Sequence, residues 1–317
     1  MDQGTKNIVS PPKEQNYGPS APSESTSILS EFRHPDPSVS ALYRPVIQIR
    51  PTSKWLWLNW GEELWEFRDL LFSLASRDLK LRYRQTALGV LWVVFQPVAG
   101  AGIFTLVFGW VAGLAKHKDS YFLFSLSGLL VWNAFQSTLG KTSMALLGNA
   151  ALVAKVYFPR LLLPLATILS TLVDFGIGLV VFVVVGAFSH WHPTATALLA
   201  LPLWIGAALA VSTGLGLLAA SIMTRFRDVQ HVLPMLLPFL MYASPVAYSV
   251  SAVPERWRSI FQWNPVTWIL EGTRAALLAG ETVPWPWATY TIATSICILM
   301  SGLWCFRRME RSFADVL

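Results

Sequence analysis

The sequence is poor in charged side chains and in cysteine. Only 13% of its 317 residues are Asp, Glu, Lys or Arg, whereas soluble globular proteins carry about a quarter. The two cysteines, Cys297 and Cys305, lie eight residues apart on one predicted helix, which separates them by about 12 Å along its axis. A disulfide within the helix cannot span that distance. The composition therefore argues against a soluble domain and against a disulfide framework.

Motifs for catalysis or nucleotide binding are also missing. The sequence contains no HExxH, GxSxG or CxxC pattern, and its five histidines are scattered. Gly140-Lys141-Thr142 looks like the end of a phosphate-binding loop, but that loop needs a glycine where Phe135 stands. We interpret Lys141 instead as a cation that extends to the membrane surface from the inner end of a helix. We expect no enzyme activity, no metal and no cofactor bound by this chain.

Long apolar runs dominate instead. The chain is 54% hydrophobic, and each long run between residues 88 and 306 approaches the length needed to cross about 30 Å of hydrocarbon. The sequence predicts an all-α integral membrane protein whose transmembrane domain, residues 88–317, holds six spans. Their approximate bounds are 88–114, 121–141, 161–188, 196–223, 229–250 and 287–306. Pro234, Pro238 and Pro245 predict a kink or a break in the fifth span.

The segment 251–283 holds two apolar pieces too short to span, which favours a re-entrant helical pair. An even number of six spans places both termini on the cytoplasmic side of the membrane. Lys and Arg then number twelve inside and five outside near the span ends, as the positive-inside rule requires. The outside cations are Lys116, Lys118, Arg256, Arg258 and Arg274. This asymmetry explains the net charge of +6 without nucleic acid as a partner.

The N-terminal part differs in composition from the rest. Residues 1–50 are polar and rich in Pro and Ser, which predicts a disordered cytoplasmic tail and no signal peptide. Residues 51–87 form a predicted interfacial region, in which 62–81 have the spacing of an amphipathic helix. Its apolar face carries Leu64, Phe67, Leu71 and Leu74, and its polar face carries Glu66, Asp69, Ser73, Arg77 and Lys80.

Several polar and aromatic residues are candidates for a substrate path. Asp174 lies within a predicted span, which makes it a functional candidate, although a helix–helix hydrogen bond or simple exposure to a polar cavity explains it equally well. Phe95, Phe239 and Tyr242 neighbour the prolines of spans one and five. Arg82 and Arg84 have the chemistry to bind a pyrophosphate at the cytoplasmic mouth, or serve as positive-inside anchors.

The link between spans two and three, residues 143–160, is short and moderately apolar. From the residues alone, a simple connecting turn is slightly favoured over the alternative, a brief helix that presents a knob to a partner's cleft. The residues of this knob are Leu152, Val153, Val156, Tyr157 and Phe158.

An ordered set of motifs spans residues 60–317: Leu81-Arg82-Tyr83-Arg84-Gln85-Thr86 with Leu88-Gly89, Trp92 and Pro97; Gly148-Asn149; Leu152-Val153; Lys155-Val156-Tyr157-Phe158-Pro159-Arg160; Phe226-Arg227-Asp228-Val229; Ser244-Pro245-Val246; Asn264-Pro265; Arg274; Gly280; and Phe313-Ala314-Asp315-Val316. This set resembles the ABC-2 type membrane subunits that export bacterial polysaccharides and polyol phosphates, such as O-antigen, capsule and teichoic acid.

This resemblance implies a homodimer that works with two copies of an ATP-binding-cassette ATPase, which would bind ATP and Mg. The coupling helix would use Asn149, Leu152, Val153, Lys155, Val156, Tyr157 and Phe158. A second contact surface would lie on the interfacial helix near 62–76, in the region that carries Glu66, Asp69, Arg77, Arg82 and Arg84. Asn264, Pro265 and Arg274 would belong to an extracytoplasmic gate. The implied substrate is a glycan on a polyprenyl pyrophosphate. The implied location is the bacterial cytoplasmic (inner) membrane, whose lipids are further partners.

Three alternatives remain from the sequence. An ABC-2 exporter of drugs or small lipids would share the same motifs. A membrane-embedded transferase would need Asp174 for chemistry. A self-sufficient channel would need no ATPase at all.

Overall fold

The structure is a computed structural model that describes residues 65–84, 91–114, 120–156, 158–189, 191, 194, 198–278 and 282–310, with the side chains of residues 82–84 left out. The predicted tail 1–50, Tyr157 and the C-terminal motif at 313–316 lie outside the described residues. The same holds for the side chains of Arg82 and Arg84.

Within the described ranges every regular element is helical, which confirms the predicted fold class. The α-helices are α1 Arg68–Arg84, α2 Leu91–Phe104, α3 Tyr121–Met144, α4 Ala150–Lys155, α5 Leu162–Phe188, α6 Leu201–Arg225, α7 Val229–Tyr242, α8 Glu255–Gln262, α9 Pro265–Leu278 and α10 Trp285–Glu310. A π-helix, Thr105–Val111, extends α2. Two 3₁₀ turns, Leu147–Asn149 and Val250–Ala252, precede α4 and α8.

Five of these helices are long and apolar enough to cross a membrane: α2 with its π extension, α3, α5, α6 and α10. The chain is therefore a multi-pass membrane protein. The fifth predicted span, 229–250, is helical only over the 14 residues of α7, or about 21 Å at the usual rise per residue. The count of six spans stays a prediction.

Only one of the three prolines in this fifth segment lies where the helix is interrupted. Pro234 and Pro238 lie inside α7, which membrane helices tolerate when neighbouring groups satisfy the freed carbonyls. The helix ends at Tyr242, and the chain runs without helix through 243–249, which includes Pro245. Proline restricts the residue before it, so Pro245 acts on Ser244 at the break itself.

Helix α3 is the centre of the bundle. In an apolar stretch of 18 residues of α3, 78% of the residues are buried, against 11% in the corresponding stretch of α2 with its π extension. Helix α6 packs between α3 and α10. At Gly302 of α10, an added Cβ would lie 2.3 Å from the carbonyl oxygen of Gly214 in α6. Glycine at both positions therefore lets the two backbones touch.

Helix α1 packs along α5. Leu74 and Ala75 are buried in a second apolar cluster with Leu146, Phe158 and Phe306, and Phe67, Leu70 and Leu71 pack beside it. Phe67, Leu71 and Leu74 of the predicted apolar face are thus in contact with this cluster. Leu64, the fourth residue of that face, lies outside the described residues. The cluster joins α1 to the segment between α3 and α5.

Candidate functional site

The segment between α3 and α5 is anchored at both ends. Leu146, just before the 3₁₀ turn, is 1% exposed, and Phe158, just after α4, is 5% exposed. Burying a large apolar side chain stabilises a fold by about 1.5–3 kcal/mol. The six-residue helix α4 is thus held between two buried anchors.

A polar contact joins the same segment to α1. Arg77 Nη2 donates to Asn149 Oδ1 at 2.7 Å and also pairs with the Asp78 carboxylate at 3.0 Å. Asn149 Nδ2 in turn donates to the carbonyl oxygen of Ala145 at 2.9 Å. Asn149 therefore links α1, the end of α3 and the start of α4.

The predicted knob is smaller than the sequence indicated. Phe158 is buried rather than exposed, because it precedes Pro159 at the entry to α5 and meets the apolar cluster there. Leu152 and Val153 pack against that cluster and are half-buried. The exposed residues of this segment, among those described, are Gly148, Ala151, Ala154, Lys155 and Val156.

The two acidic candidates on the interfacial helix, Glu66 and Asp69, face outward. Glu66 is exposed, and the side chain of Asp69 is 93% exposed with Arg68 at 3.7 Å. Arg77 differs from them, because it turns toward Asn149. The structure thus brings Arg77, alone among the described residues of this predicted set, into contact with the predicted coupling residues.

An ion pair lies between α3 and α5. Lys141 Nζ is 3.2 Å from Asp174 Oδ2, 3.2 Å from Ser170 Oγ and 3.5 Å from Thr171 Oγ1. The interpretation of Lys141 as a cation extending to the surface was wrong. Side chains on a helix lean toward its N-terminus, so Lys141 reaches back from the last turn of α3 to the level of Asp174.

This ion pair forms one wall of a cavity of about 370 Å³. Helices α2, α3, α5 and α7 contribute to the lining. Beside the ion pair, its polar groups are the side chains of Gln96, Asn133, Gln136, Ser137 and Thr171. Asp174 thus has a partner on a neighbouring helix and also borders a polar cavity.

The three aromatic path candidates do not line that cavity. Phe95 is 55% exposed and stacks on Trp92 with 5.5 Å between ring centroids. Phe239 and Tyr242 are 62% and 60% exposed on α7. These rings lie on outward faces of α2 and α7, which the other described helices leave uncovered.

At the opposite end of the bundle from α4, Arg274 is buried. Its sequence position suggested one of the cations of an outside loop, but only 3% of it is exposed. Nη1 donates to the Tyr248 carbonyl at 3.2 Å, Nη2 donates to the Val246 carbonyl, and Glu271 accepts at 3.3 Å. The non-helical stretch after α7 has carbonyls without helical partners, and Arg274 satisfies two of them.

The surroundings of Arg274 are tight and partly aromatic. Its guanidinium carbon lies 3.9 Å from the centroid of the Phe124 ring, a cation–π contact. A Cβ at Gly128 would come within 2.6 Å of Arg274 Nη2. Burial lowers the pKa of Arg274, and the nearby Glu271 carboxylate opposes that shift.

Asn264 lies at the turn between α8 and α9. Its Nδ2 donates to Ser244 Oγ at 3.1 Å, and its Oδ1 accepts from the N–H of Val266 at 3.0 Å. Pro265 is the first residue of α9, where its missing N–H costs nothing. The turn of the predicted re-entrant pair is thus bonded to the break that follows α7.

Two contacts of the site escaped the sequence reasoning. Tyr121 Oη donates to the carbonyl of Ala247, and Arg77 contacts Asn149 across 72 positions of sequence. A tyrosine at the start of a span is typical of a membrane interface, so its sequence position gave no signal of this bond.

Comparison with known proteins decides the family. The model of the ABC-2 type transporter family matches residues 69–278. The chain belongs to this family. The match runs from α1 to the last residue of α9, so it covers the predicted coupling segment, the cavity and the turn at Asn264.

Curated relatives align with this ABC-2 type chain over most of their length. An O-antigen export system permease protein RfbA from Myxococcus xanthus is 29% identical over 80% of this chain and 97% of its own. One of the same name from Klebsiella pneumoniae is 25% identical over 78% and 95%. The polysialic acid transport protein KpsM of Escherichia coli is 24% identical over 76% and 93%.

Proposed function

We propose that this chain is the membrane-spanning subunit of an ATP-driven exporter that moves a lipid-linked polysaccharide across the bacterial cytoplasmic membrane. The observation that carries the proposal is the alignment with O-antigen and polysialic acid export permeases along 93–97% of their length. The substrate is a glycan carried on a polyprenyl pyrophosphate. The chain itself catalyses no bond chemistry.

In this proposal the energy comes from a separate ATPase, which binds ATP and Mg. Two copies of this chain pair with two copies of the ATPase, and α4 seats in a cleft of that partner. The exposed residues Ala154, Lys155 and Val156 make the contact. Because Leu146 and Phe158 are buried on either side, a displacement of α4 is passed directly to α3 and α5.

The path for the glycan runs between two copies of the chain. Support comes from the exposed apolar faces of α2 and α7, which carry Phe95, Phe239 and Tyr242. Large exposed apolar surfaces mark lipid or protein contacts. Aromatic faces also suit the C–H faces of sugar rings. Both termini lie in the cytoplasm, on the side where α4 meets the ATPase.

The extracytoplasmic gate consists of α8, α9 and the non-helical stretch 243–249. Asn264 and Arg274 hold this stretch from two directions through Ser244, Val246 and Tyr248. A signal that moves α7 therefore also moves the turn at Asn264. The gate opens when ATP binding on the partner shifts α2 and α7.

The experiment is deletion of the gene in its own host. We expect the surface polysaccharide to disappear and the lipid-linked glycan to accumulate inside the cell, with both effects reversed by the wild-type gene. Normal surface polysaccharide in the deletion strain, together with altered sensitivity to drugs or altered membrane lipids, would overturn the proposal in favour of a drug or lipid exporter.

A further inference from the structure

The cavity beside the Lys141–Asp174 pair has the properties of a ligand site. We propose that it binds one sugar ring of the glycan, as a side pocket of the export path. The inference rests on the proposed function and adds a binding site to it. It assigns a role to polar residues within the membrane domain that the gating mechanism leaves unused.

The lining matches the chemistry of a polyol. A sugar hydroxyl both donates and accepts hydrogen bonds, and so do the amides of Gln96, Asn133 and Gln136 and the hydroxyl of Ser137. Asp174 adds acceptors, while the ammonium of Lys141 is bonded to Asp174, Ser170 and Thr171 and holds the carboxylate in place. Phe175, which also borders the cavity, offers an apolar face to the C–H side of a ring.

The charge balance argues against a phosphate. Among the described residues of the lining, Lys141 is the one cation, and it is paired with Asp174 at 3.2 Å. A phosphate that approached the ammonium would also approach the carboxylate, and like charges repel strongly where little water screens them. A neutral, hydroxyl-rich ligand meets no such repulsion.

The size of the cavity favours a single ring. Its volume of about 370 Å³ lies near the lower end of the range of about 300–1,000 Å³ typical of small-molecule sites. Pro97 of α2 and Leu237 of α7 belong to its lining, and these are the helices whose outer faces carry the proposed path. A sugar ring in the cavity therefore sits next to the moving glycan.

The site is also continuous with the coupling segment. Lys141 lies in the last turn of α3, and Asp174 lies on α5, so the ion pair joins the two helices that flank α4. A sugar that hydrogen-bonds to Asp174 is in contact with the ion pair that joins the two helices that α4 displaces. This geometry lets ATP-driven motion alter the affinity of the pocket.

The test uses thiol labelling at the cavity wall. Ser137→Cys is introduced into the full chain with Cys297→Ser and Cys305→Ser, and the protein is reconstituted in lipid nanodiscs. Labelling by a small water-soluble thiol reagent is followed with methyl mannoside, methyl galactoside, N-acetylglucosamine or inorganic pyrophosphate present. Ser189→Cys, at the exposed C-terminal end of α5, is the matched control.

We expect at least one of the three sugars to slow labelling at position 137 several-fold, with no effect of pyrophosphate and no protection at position 189. Adding Asp174→Asn should remove the protection. Protection by pyrophosphate alone would identify an anion site and overturn the proposal. Labelling unchanged by every sugar would identify a water-filled cavity and overturn it equally.

The unaltered chain provides a measurement that needs no variant. A sugar that binds the folded state raises the unfolding temperature as its concentration rises, and no shift with any of the three sugars contradicts the site. The outcomes for site and function are separable. Gene deletion that abolishes surface polysaccharide while no sugar binds refutes the pocket alone, whereas sugar binding with normal surface polysaccharide refutes the exporter.

Discussion

At the scale of single residues, Arg274 donates hydrogen bonds to backbone carbonyls that would be bonded to N–H groups if the chain were helical there. The stretch 243–249 is not helical, and buried carbonyls without donors are costly. The two guanidinium nitrogens of Arg274 reach the carbonyls of Val246 and Tyr248. One buried side chain therefore stabilises the break after α7.

Replacing Arg274 should destabilise the fold. Arg274→Met removes a donor from the buried Val246 carbonyl and from the part-buried Tyr248 carbonyl, and a buried group left unsatisfied costs about 1–3 kcal/mol. Arg274→Lys should recover only part of the loss, because an ammonium lacks the planar fork that reaches both oxygens. Thermal unfolding in nanodiscs checks this, with exposed Arg256→Met as the control. Equal unfolding temperatures for Arg274→Met and Arg256→Met would contradict it.

The Lys141–Asp174 pair should show strong mutual dependence. Asp174→Leu leaves a partly buried ammonium without its counter-charge, and Lys141→Met does the same to the carboxylate. Removing one partner of a buried pair costs about 3–5 kcal/mol, whereas replacing both by apolar groups is often close to neutral. These side chains are 30% and 13% exposed, so we expect smaller values of the same order.

Thermal unfolding of the two single variants and the double variant measures this dependence. The double variant Lys141→Met/Asp174→Leu should unfold at a higher temperature than either single variant. Additive losses in the double variant would show that the two charges act independently, contrary to the geometry.

At the scale of elements, the contact between α6 and α10 depends on two glycines. Gly302→Ala places a Cβ 2.3 Å from the Gly214 carbonyl oxygen, so the backbones must separate. Overpacking of this kind costs about 1–3 kcal/mol. The control is Gly206→Ala. Gly206 lies on α6, like Gly214, but a Cβ added there would have open space around it. Unfolding temperatures measure both, and an unchanged value for Gly302→Ala would contradict the close approach.

The bond between α1 and the turn before α4 should matter for coupling. Arg77→Ala and Asn149→Ala each remove the 2.7 Å contact, and hydrogen bonds to charged groups contribute about 1.5–3 kcal/mol. We expect each variant to lower glycan export relative to ATP hydrolysis, and the double variant to be no worse than the singles. Arg68→Ala, half-exposed on α1, serves as the control. Strictly additive losses would contradict a shared contact.

The elements were easier to predict than the side-chain contacts. Helices α3, α5 and α10 begin and end close to the predicted spans, because a long apolar run must form a helix in lipid. The exit from helix at 243–249 was assigned to three prolines, of which only Pro245 lies in it. The predictions for Phe158 and Lys141 were wrong, and the burial of Arg274 was not foreseen. Each of the three contacts a neighbour that is distant in sequence, and hydropathy carries no information on such pairs.

At the scale of the whole molecule, two anchored ends are joined by long helices. One end holds α4 between Leu146 and Phe158, and the other holds the stretch 243–249 through Asn264 and Arg274. Helix α3 runs between them, from Tyr121 beside Ala247 to the segment before α4. In the proposed mechanism, displacement of one end is transmitted to the other through α3, as an ATP-driven gate requires.

The contact of α4 with a separate ATPase is central to the proposed mechanism, and site-specific photocrosslinking in the native host tests it directly. A photoreactive amino acid replaces exposed Ala154 on α4, and the same group at Val180, 63% exposed in the middle of α5, is the control. The account predicts a crosslink from position 154, and none from position 180, to a protein that hydrolyses ATP. The absence of any protein crosslink at position 154 in cells that export their polysaccharide normally would contradict it.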